Sequence, residues 1–344
     1  MKSMVLAGLS RIEIIGKPVP DLINSNDVLV RIKSVGICGS DIHYYRKGRI
    51  GSQAVKYPFT IGHECAGVVE KTGPSVISLR VGDRVAIDPA MPCYRCDQCM
   101  AGRYHTCRNL RFLGCPGQAE GCLSEYIIMP ETSCFVIPDN MTFDQAALSE
   151  PLTIGHYAVK LAGDIKGKSI AILGSGPIGI SVMLTSVTLG AGKVFITDKI
   201  DARLAIASEM GAHWTGNTDK LDIVKEILHH ATGQPDVVFE CCGQQEAVDQ
   251  AVRLLKPGGK LMIVGIPEFD RWSFDVDDLR RKEIAIINVR RQNETVSETL
   301  GMISDGRLKP DRMQTHSFSL DEVGKAFELI ADYEDGVMKA MIHI

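Results

Sequence analysis

The sequence contains no apolar run near the ~20 residues that a bilayer-spanning helix needs. The longest candidate, Ile178 to Leu189, is interrupted by Ser181, Thr185, Ser186 and Thr188. No membrane partner is therefore expected. Nor does either charge outnumber the other by much: Lys+Arg number 38 and Asp+Glu 42, a net charge of −4. Phosphate binding wants a basic surface, so nucleic acid is not the expected partner. There is no polybasic cluster of the kind that holds a chain to anionic lipid. Internal repeats and low-complexity segments are absent. The N-terminal Met1-Lys2-Ser3-Met4-Val5-Leu6 has neither the apolar core nor the small-residue cleavage site of a secretory leader. The expected address is the cytoplasm.

What is present is the composition of a globular protein, 45% hydrophobic and 23% charged. A length of 344 residues suits two domains and a sizeable core. Eleven cysteines need an explanation. An odd number in a cytosolic type of chain makes a poor disulfide framework and a better metal-binding or catalytic set.

Residues 1 to about 150 read as strand-rich with few helices. Val28 to Lys33 alternates apolar and polar residues, and Cys65 to Glu70 and Arg84 to Ile87 are short β-type runs. Glycine and proline punctuate them. From about 155, strands and helices alternate: strand Ser169 to Leu173, helix Ile178 to Leu189, strand Lys193 to Thr197, helix Asp201 to Met210, strand Val237 to Glu240, helix Gln245 to Lys256, strand Leu261 to Val264. That rhythm means a parallel, doubly wound sheet. Two more helical patterns follow, the second opened by Ser319 with Glu322 in capping-box spacing. The alternating run Val337 to Ile344 reads as a closing strand. The layout is a β-rich domain, an inserted α/β domain, and a return to the first.

Gly174-Ser175-Gly176-Pro177-Ile178-Gly179 is G-x-G-x-x-G, placed between a strand and a helix. In that context the first glycine makes the turn and Gly176 admits a pyrophosphate. Gly179 allows close packing, and the helix N-terminus opened by Pro177 and Ile178 faces the phosphates. A glycine turn that binds nothing is the alternative. Asp198 ends the next strand, where a carboxylate accepts from ribose hydroxyls and repels the extra phosphate of NADP. NAD is expected over NADP, although Arg203, one helical turn on, carries the opposite charge.

Cys93, Cys96, Cys99 and Cys107 fall within fifteen residues. Four thiolates close a tetrahedral zinc site with no open position, so the lobe reads as structural. The segment has too few apolar residues to fold by burial alone. An iron–sulfur cluster or free thiols are the rivals. A DNA-binding finger is disfavoured, because no paired His ligands and no basic helix follow. Cys38, His63-Glu64 and Glu150 are individually unremarkable. Together, a thiolate, an imidazole and a carboxylate from dispersed positions make an open, catalytic type of zinc site.

Four features, Cys38-Gly39-Ser40-Asp41-x-His43, Gly62-His63-Glu64, the cysteine lobe and the glycine loop, occur in an order and spacing that covers essentially the whole chain. In them the chain resembles the zinc-dependent medium-chain alcohol dehydrogenases. It is most similar to the polyol branch of sorbitol (L-iditol) and xylitol dehydrogenases, through Cys38 to Tyr45, Gly48-Arg49-Ile50-Gly51 and Glu150-Pro151-Leu152. The resemblance implies an α/β fold: a GroES-like catalytic domain of residues 1–152 and 288–344, and a Rossmann NAD-binding domain of residues 153–287. It implies one catalytic and one structural Zn²⁺ per chain, with Glu64 the direct ligand beside Cys38 and His63. Glu150 holds or replaces the water; which carboxylate binds at each step stays open. Ser40 and His43 are implied as the proton path, and Tyr44, Phe112 and Leu113 as substrate-side residues.

Arg290 matches a substrate-side Arg of sorbitol dehydrogenases. Arg291 departs from the mammalian members, which have an aromatic residue there, and two adjacent guanidinium groups suit an anionic substrate. Arg291 facing solvent or a neighbouring subunit is the alternative. The expected activity is NAD-dependent oxidation of a polyol's secondary hydroxyl to a ketose. The same chemistry on L-threonine, a sugar acid, a polyol phosphate or a cyclitol is the runner-up. A noncatalytic dinucleotide sensor would not need the Cys38/Ser40/His43/His63 set. A homo-oligomer, dimer or tetramer, is expected, with a sheet edge near Ala285 to Val289 needing cover.

Overall fold

The computed structural model describes residues 1–231 and 233–344. The chain forms two compact units: Met1–Glu150 with Val296–Gly306 and Gln314–Ile344, and Pro151–Thr295 with Arg307–Met313.

In the first unit, the elements that bear on the site are β1 (Asp27–Gly36), α1 (Gly39–Lys47), β2 (Glu64–Thr72), β3 (Arg84–Ile87), β4 (Tyr126–Pro130) and β5 (Cys134–Val136). A long helix, α2 (Phe143–Ala162), carries the chain from the first unit into the second. The second unit alternates as expected: β6 (Ser169–Leu173), α3 (Pro177–Thr188), β7 (Lys193–Asp198), α4 (Asp201–Glu209), β8 (Trp214–Asn217), α5 (Ile223–His230), β9 (Val237–Glu240), α6 (Gln245–Leu254), β10 (Lys260–Ile263), α7 (Val276–Lys282) and β11 (Ala285–Asn288). The chain returns to the first unit through β12 (Gln314–Ser319) and β13 (Lys339–His343).

Among the described residues, the first unit holds a seven-stranded sheet in the order β5-β3-β2-β1-β13-β12, with β4 also on β1. Its core gathers Val30, Ile32, Val35, Ile61, Val85, Leu123 and Phe327. The second unit holds a six-stranded parallel sheet in the order β8-β7-β6-β9-β10-β11. Its strand order reverses between β6 and β9, the switch point where open α/β sheets bind ligands. Such a sheet is covered on both faces, so its strands read as continuous apolar runs. In β6, Ile170 to Leu173 are all buried. Each fully buried aliphatic side chain contributes about 1.5–3 kcal/mol.

The structure differs from the expected layout in two respects, the burial of the closing strand and the place of residues 288–295. The strand-rich segment also carries helix α1, and Glu150, the last residue of the first stretch of the first unit, lies inside helix α2, immediately before Pro151. The closing strand forms as expected, but its alternating sequence does not give alternating burial. It lies between β1 and β12, so Lys339, Ala340, Met341 and Ile342 are all buried, on both faces. Residues 288–295 group with the second unit. There β11 pairs with β10, and Thr295 Oγ1 donates to the Thr153 carbonyl at 3.1 Å.

Among the described residues, no helix is long and apolar enough to cross a membrane.

Candidate active site and dinucleotide loop

Cys38 caps the N-terminus of α1 in extended conformation. Asp41, fully buried, fixes that turn: its Oδ2 accepts from the Cys38 N–H at 3.0 Å. The other oxygen, Oδ1, accepts from the Gly62 N–H at 3.1 Å and lies 3.7 Å from His63 Nδ1. One carboxylate thus ties the segment carrying the thiol to the segment carrying the imidazole. Gly62 has φ +96, a conformation that suits glycine and turns the chain into β2.

The donor atoms of Cys38, His63 and Glu64 all lie within 4.8 Å of one another. His63 and Glu64 are buried. Burial pushes the His63 imidazole toward the neutral form, but the facing Cys38 sulfur and Asp41 carboxylate outweigh it and hold its pKa well above the ordinary value. Such an electronegative, mixed S/N/O donor set fits a divalent cation of the zinc type.

Lys339, which carries no signal in the sequence, completes the cluster. Its Nζ donates to both Glu64 carboxylate oxygens, at 2.8 and 2.7 Å, and to the Ile37 carbonyl at 3.0 Å. Both side chains are 1% exposed. The register explains the meeting: Gly36 pairs with Glu64 on one side and with Met341 on the other. A Cβ on Gly36 would come within 2.3 Å of Glu64 Oε2, so the carboxylate needs glycine there. Glu150 is buried too, and burial pushes its carboxyl up to about 7, with His63 pulling it down and Glu64 adding to the rise. The Phe112 ring stands 5.5 Å from the His63 ring. Leu113 is buried, and Tyr44 is buried with its hydroxyl 3.9 Å from Cys115 Sγ. Ser40, His43 and Tyr44 stand three and four apart on α1, on one helical face.

The four cysteines of the lobe also bring their sulfurs within 4.8 Å of one another. Cys96 Sγ lies 3.6 Å from Cys99 Sγ and 3.9 Å from Cys107 Sγ. The Arg95 backbone N–H leads in lowering the Cys93 thiol to about 6, while burial raises Cys99 to about 12. Outside the cluster, Arg108 grips Asp97 with two bonds of 2.5 and 2.8 Å. All eleven cysteines are unbridged.

In the second unit, Gly174 turns at φ +108 after β6. A Cβ on Gly179 would lie 1.8 Å from the Gly174 carbonyl oxygen, so helix and loop close only with glycine. Gly176 caps α3 and Pro177 occupies the first turn, ahead of Ile178. Asp198 Oδ2 accepts from the Ser175 N–H at 2.7 Å and Oδ1 from the Ile200 N–H at 3.0 Å. Two oxygens offer about four acceptor positions, so capacity for hydroxyl donors is left. Arg203 is buried, with a guanidinium nitrogen 3.8 Å from where a Cβ on Gly176 would sit. Arg290 is exposed, and Arg291 is half-buried at φ 54.

Residues 24–139 match the family model of the alcohol dehydrogenase GroES-like domain, and residues 177–305 that of the zinc-binding dehydrogenases. The chain belongs to the zinc-dependent medium-chain alcohol dehydrogenases. The dehydrogenase is 36% identical to a sorbitol dehydrogenase of Bacillus subtilis, over 100% of this chain and 97% of that protein. It is 35% identical to an L-idonate 5-dehydrogenase of Vitis vinifera, over 95% and 90% of the two chains. The structure of a zinc-binding dehydrogenase of Sinorhizobium meliloti, solved bound to NADP, matches with a TM-score of 0.91 at 30% identity, covering 100% of this chain and 99% of that one. The expected family, the α/β fold with GroES-like and Rossmann parts, and a zinc-dependent oxidoreductase are all borne out.

Proposed function

We propose that this dehydrogenase oxidises a secondary hydroxyl of a polyol of the sorbitol or xylitol kind to a ketose, passing hydride to NAD. The observation that carries this reading is the buried convergence of Cys38, His63 and Glu64, supported from behind by Asp41 and Lys339. These three residues hold a catalytic Zn²⁺, and Cys93, Cys96, Cys99 and Cys107 hold a structural one. When bound, the metal acidifies an alcohol hydroxyl and the nicotinamide accepts hydride.

The chain's own groups do the rest. Glu150, buried and raised toward neutrality, holds water or exchanges with it beside the donor set. Ser40 and His43, on one face of α1, carry the released proton outward. Tyr44, Phe112 and Leu113 orient the substrate beside the donor set, and Arg290 is the substrate-side arginine that the resemblance implies. Gly174, Gly176, Pro177, Ile178 and Gly179 cradle the pyrophosphate, with Arg203 beneath. Asp198 favours NAD over NADP through its remaining acceptor capacity. The unbridged cysteines suit a reducing, cytoplasmic setting. The β11 edge suits pairing with another copy in a dimer or tetramer.

A second reading, oxidation of an anionic sugar acid, is favoured by the adjacent Arg290 and Arg291 and by the L-idonate relative. One experiment separates them. Reduction of NAD and of NADP would be followed with sorbitol, xylitol, L-threonine, sugar acids and polyol phosphates, before and after chelation. Chelator-sensitive, NAD-selective turnover of neutral polyols is expected. Turnover of anionic substrates alone would overturn the polyol assignment and make Arg291 the specificity residue. No turnover with any alcohol would sink both.

A further inference from the structure

At the C-terminal end of β9, Glu240 is a fully buried carboxyl in the heart of the second unit. Its backbone and its side chain bind different loops. The Glu240 carbonyl accepts from the N–H groups of Val264 and Gly265 at 2.9 and 3.0 Å, holding the loop that leaves β10. Its carboxylate Oε1 accepts from the N–H groups of Cys242 and Gly243 at 2.8 and 2.5 Å, holding the loop that leaves β9. The other oxygen, Oε2, points at Gly265, where a Cβ would meet it at 2.7 Å and the Gly243 nitrogen at 2.3 Å. A Cβ on Gly243 would in turn lie 2.5 Å from the Ile266 carbonyl oxygen. The two loops therefore touch backbone to backbone, with Glu240 between them.

This junction abuts the glycine loop. A Cβ on Gly174 would stand 3.0 Å from the Cys242 Cβ and 3.1 Å from its nitrogen. The strands β6 and β9 that carry Gly174 and Glu240 flank the switch point of the sheet. Placing a carboxyl in a dry interior is costly, and burial accordingly raises Glu240 above the usual carboxylate range. An apolar side chain would fill the same space without that cost, but it could not order two backbone amides and two loops at once.

We infer that Glu240 is a positioning residue for the dinucleotide: it locks the loops after β9 and β10 together and sets the floor of the cleft beside Gly174. The inference rests on the reading that a nicotinamide dinucleotide binds that loop.

The test is direct NADH binding by fluorescence titration, with metal content, thermal melting and steady-state kinetics measured alongside. Glu240→Asp is one methylene too short to reach both amides, and Glu240→Ala removes the acceptor. Each is expected to raise the Kd for NADH and the KM for NAD by about tenfold or more, with kcat at saturating NAD within about threefold and metal content unchanged. Glu240→Gln keeps Oε1 and should bind within about threefold of the parent protein. A residue that only stabilises the fold would lower the melting temperature and leave the Kd of the folded protein alone. Folded Asp and Ala variants that bind NADH like the parent would overturn the inference, as would a folded Gln variant that binds no better than Ala. Should Ala and Asp both fail to fold, Gly265→Ala, which forces the loops apart from the other side, is expected to raise the Kd similarly; unchanged binding there would overturn it too. Failure of the unsubstituted protein to bind NADH would instead overturn the dinucleotide reading itself.

Discussion

Two thiol-bearing clusters occur in one unit of this dehydrogenase and are built in opposite ways. The lobe draws four sulfurs from fifteen consecutive residues, and Cys93 and Cys96 are partly exposed. Its outer support is a surface ion pair, Asp97 with Arg108. The Cys38–His63–Glu64 cluster draws on separated segments, and its supports are buried: Asp41 below the thiol and imidazole, Lys339 against the carboxylate. A closed local cluster needs little from the rest of the fold. An open site must have its donors held from outside, because not every metal position is taken by protein.

The two clusters should respond to substitution in different ways. With the proposed metal role of the Cys38–His63–Glu64 set, His63→Ala should cost at least about a thousandfold in turnover, because that metal's chemistry would be lost. Metal analysis should show the loss of one equivalent, with the lobe's metal retained; loss of both would mean the clusters are not independent. Lys339→Met leaves Glu64 buried without its cation. Breaking such a pair costs about 3–5 kcal/mol where nothing replaces the charge. The destabilisation should therefore be larger in chelated than in metal-loaded protein, and turnover should fall about 10- to 100-fold. Equal destabilisation in both forms would show that Glu64 does not exchange its partner for the metal.

Asp41→Asn keeps the shape but weakens the link between Cys38 and His63. About a tenfold loss of metal affinity at this site is expected, read by competition with a chromophoric chelator. Cys99→Ser should release the lobe's metal and lower the melting temperature by more than about 4 °C, while the folded fraction keeps turnover within about threefold. Arg108→Ala should do least. An exposed pair is worth little, so the melting temperature should stay within about 2 °C and metal content should not change.

These clusters also differ in how far they can be read from the chain. The lobe is legible because its ligands are neighbours in sequence. The glycine loop is legible because a strand, three glycines and a helix fall in one short stretch. Cys38 and His63-Glu64 are each ordinary alone, and only the resemblance brings them together. Asp41 stands inside the quoted motif, but its bonds to Cys38 and Gly62 emerge only once α1 is folded. Helix α1 gives no signal in the sequence, because a polar nine-residue helix between strands has no clear apolar period. Lys339 gives no signal either: in an alternating terminal run it reads as the outward face of a strand. Only the insertion of β13 beside β1 buries it.

The two-unit layout, the thiol lobe and the glycine loop are fixed locally, because each depends on residues a few positions apart or on a repeated rhythm along the chain. Tertiary structure alone decided which charges face one another. Lys339 and Glu64 lie 275 positions apart, and they meet because three strands bring them to a gap that Gly36 leaves open. Glu240 likewise earns its place between two loops only when β9 and β10 lie side by side. Buried charges are paired by register and by missing side chains, and neither is written in the spacing of the residues that use them.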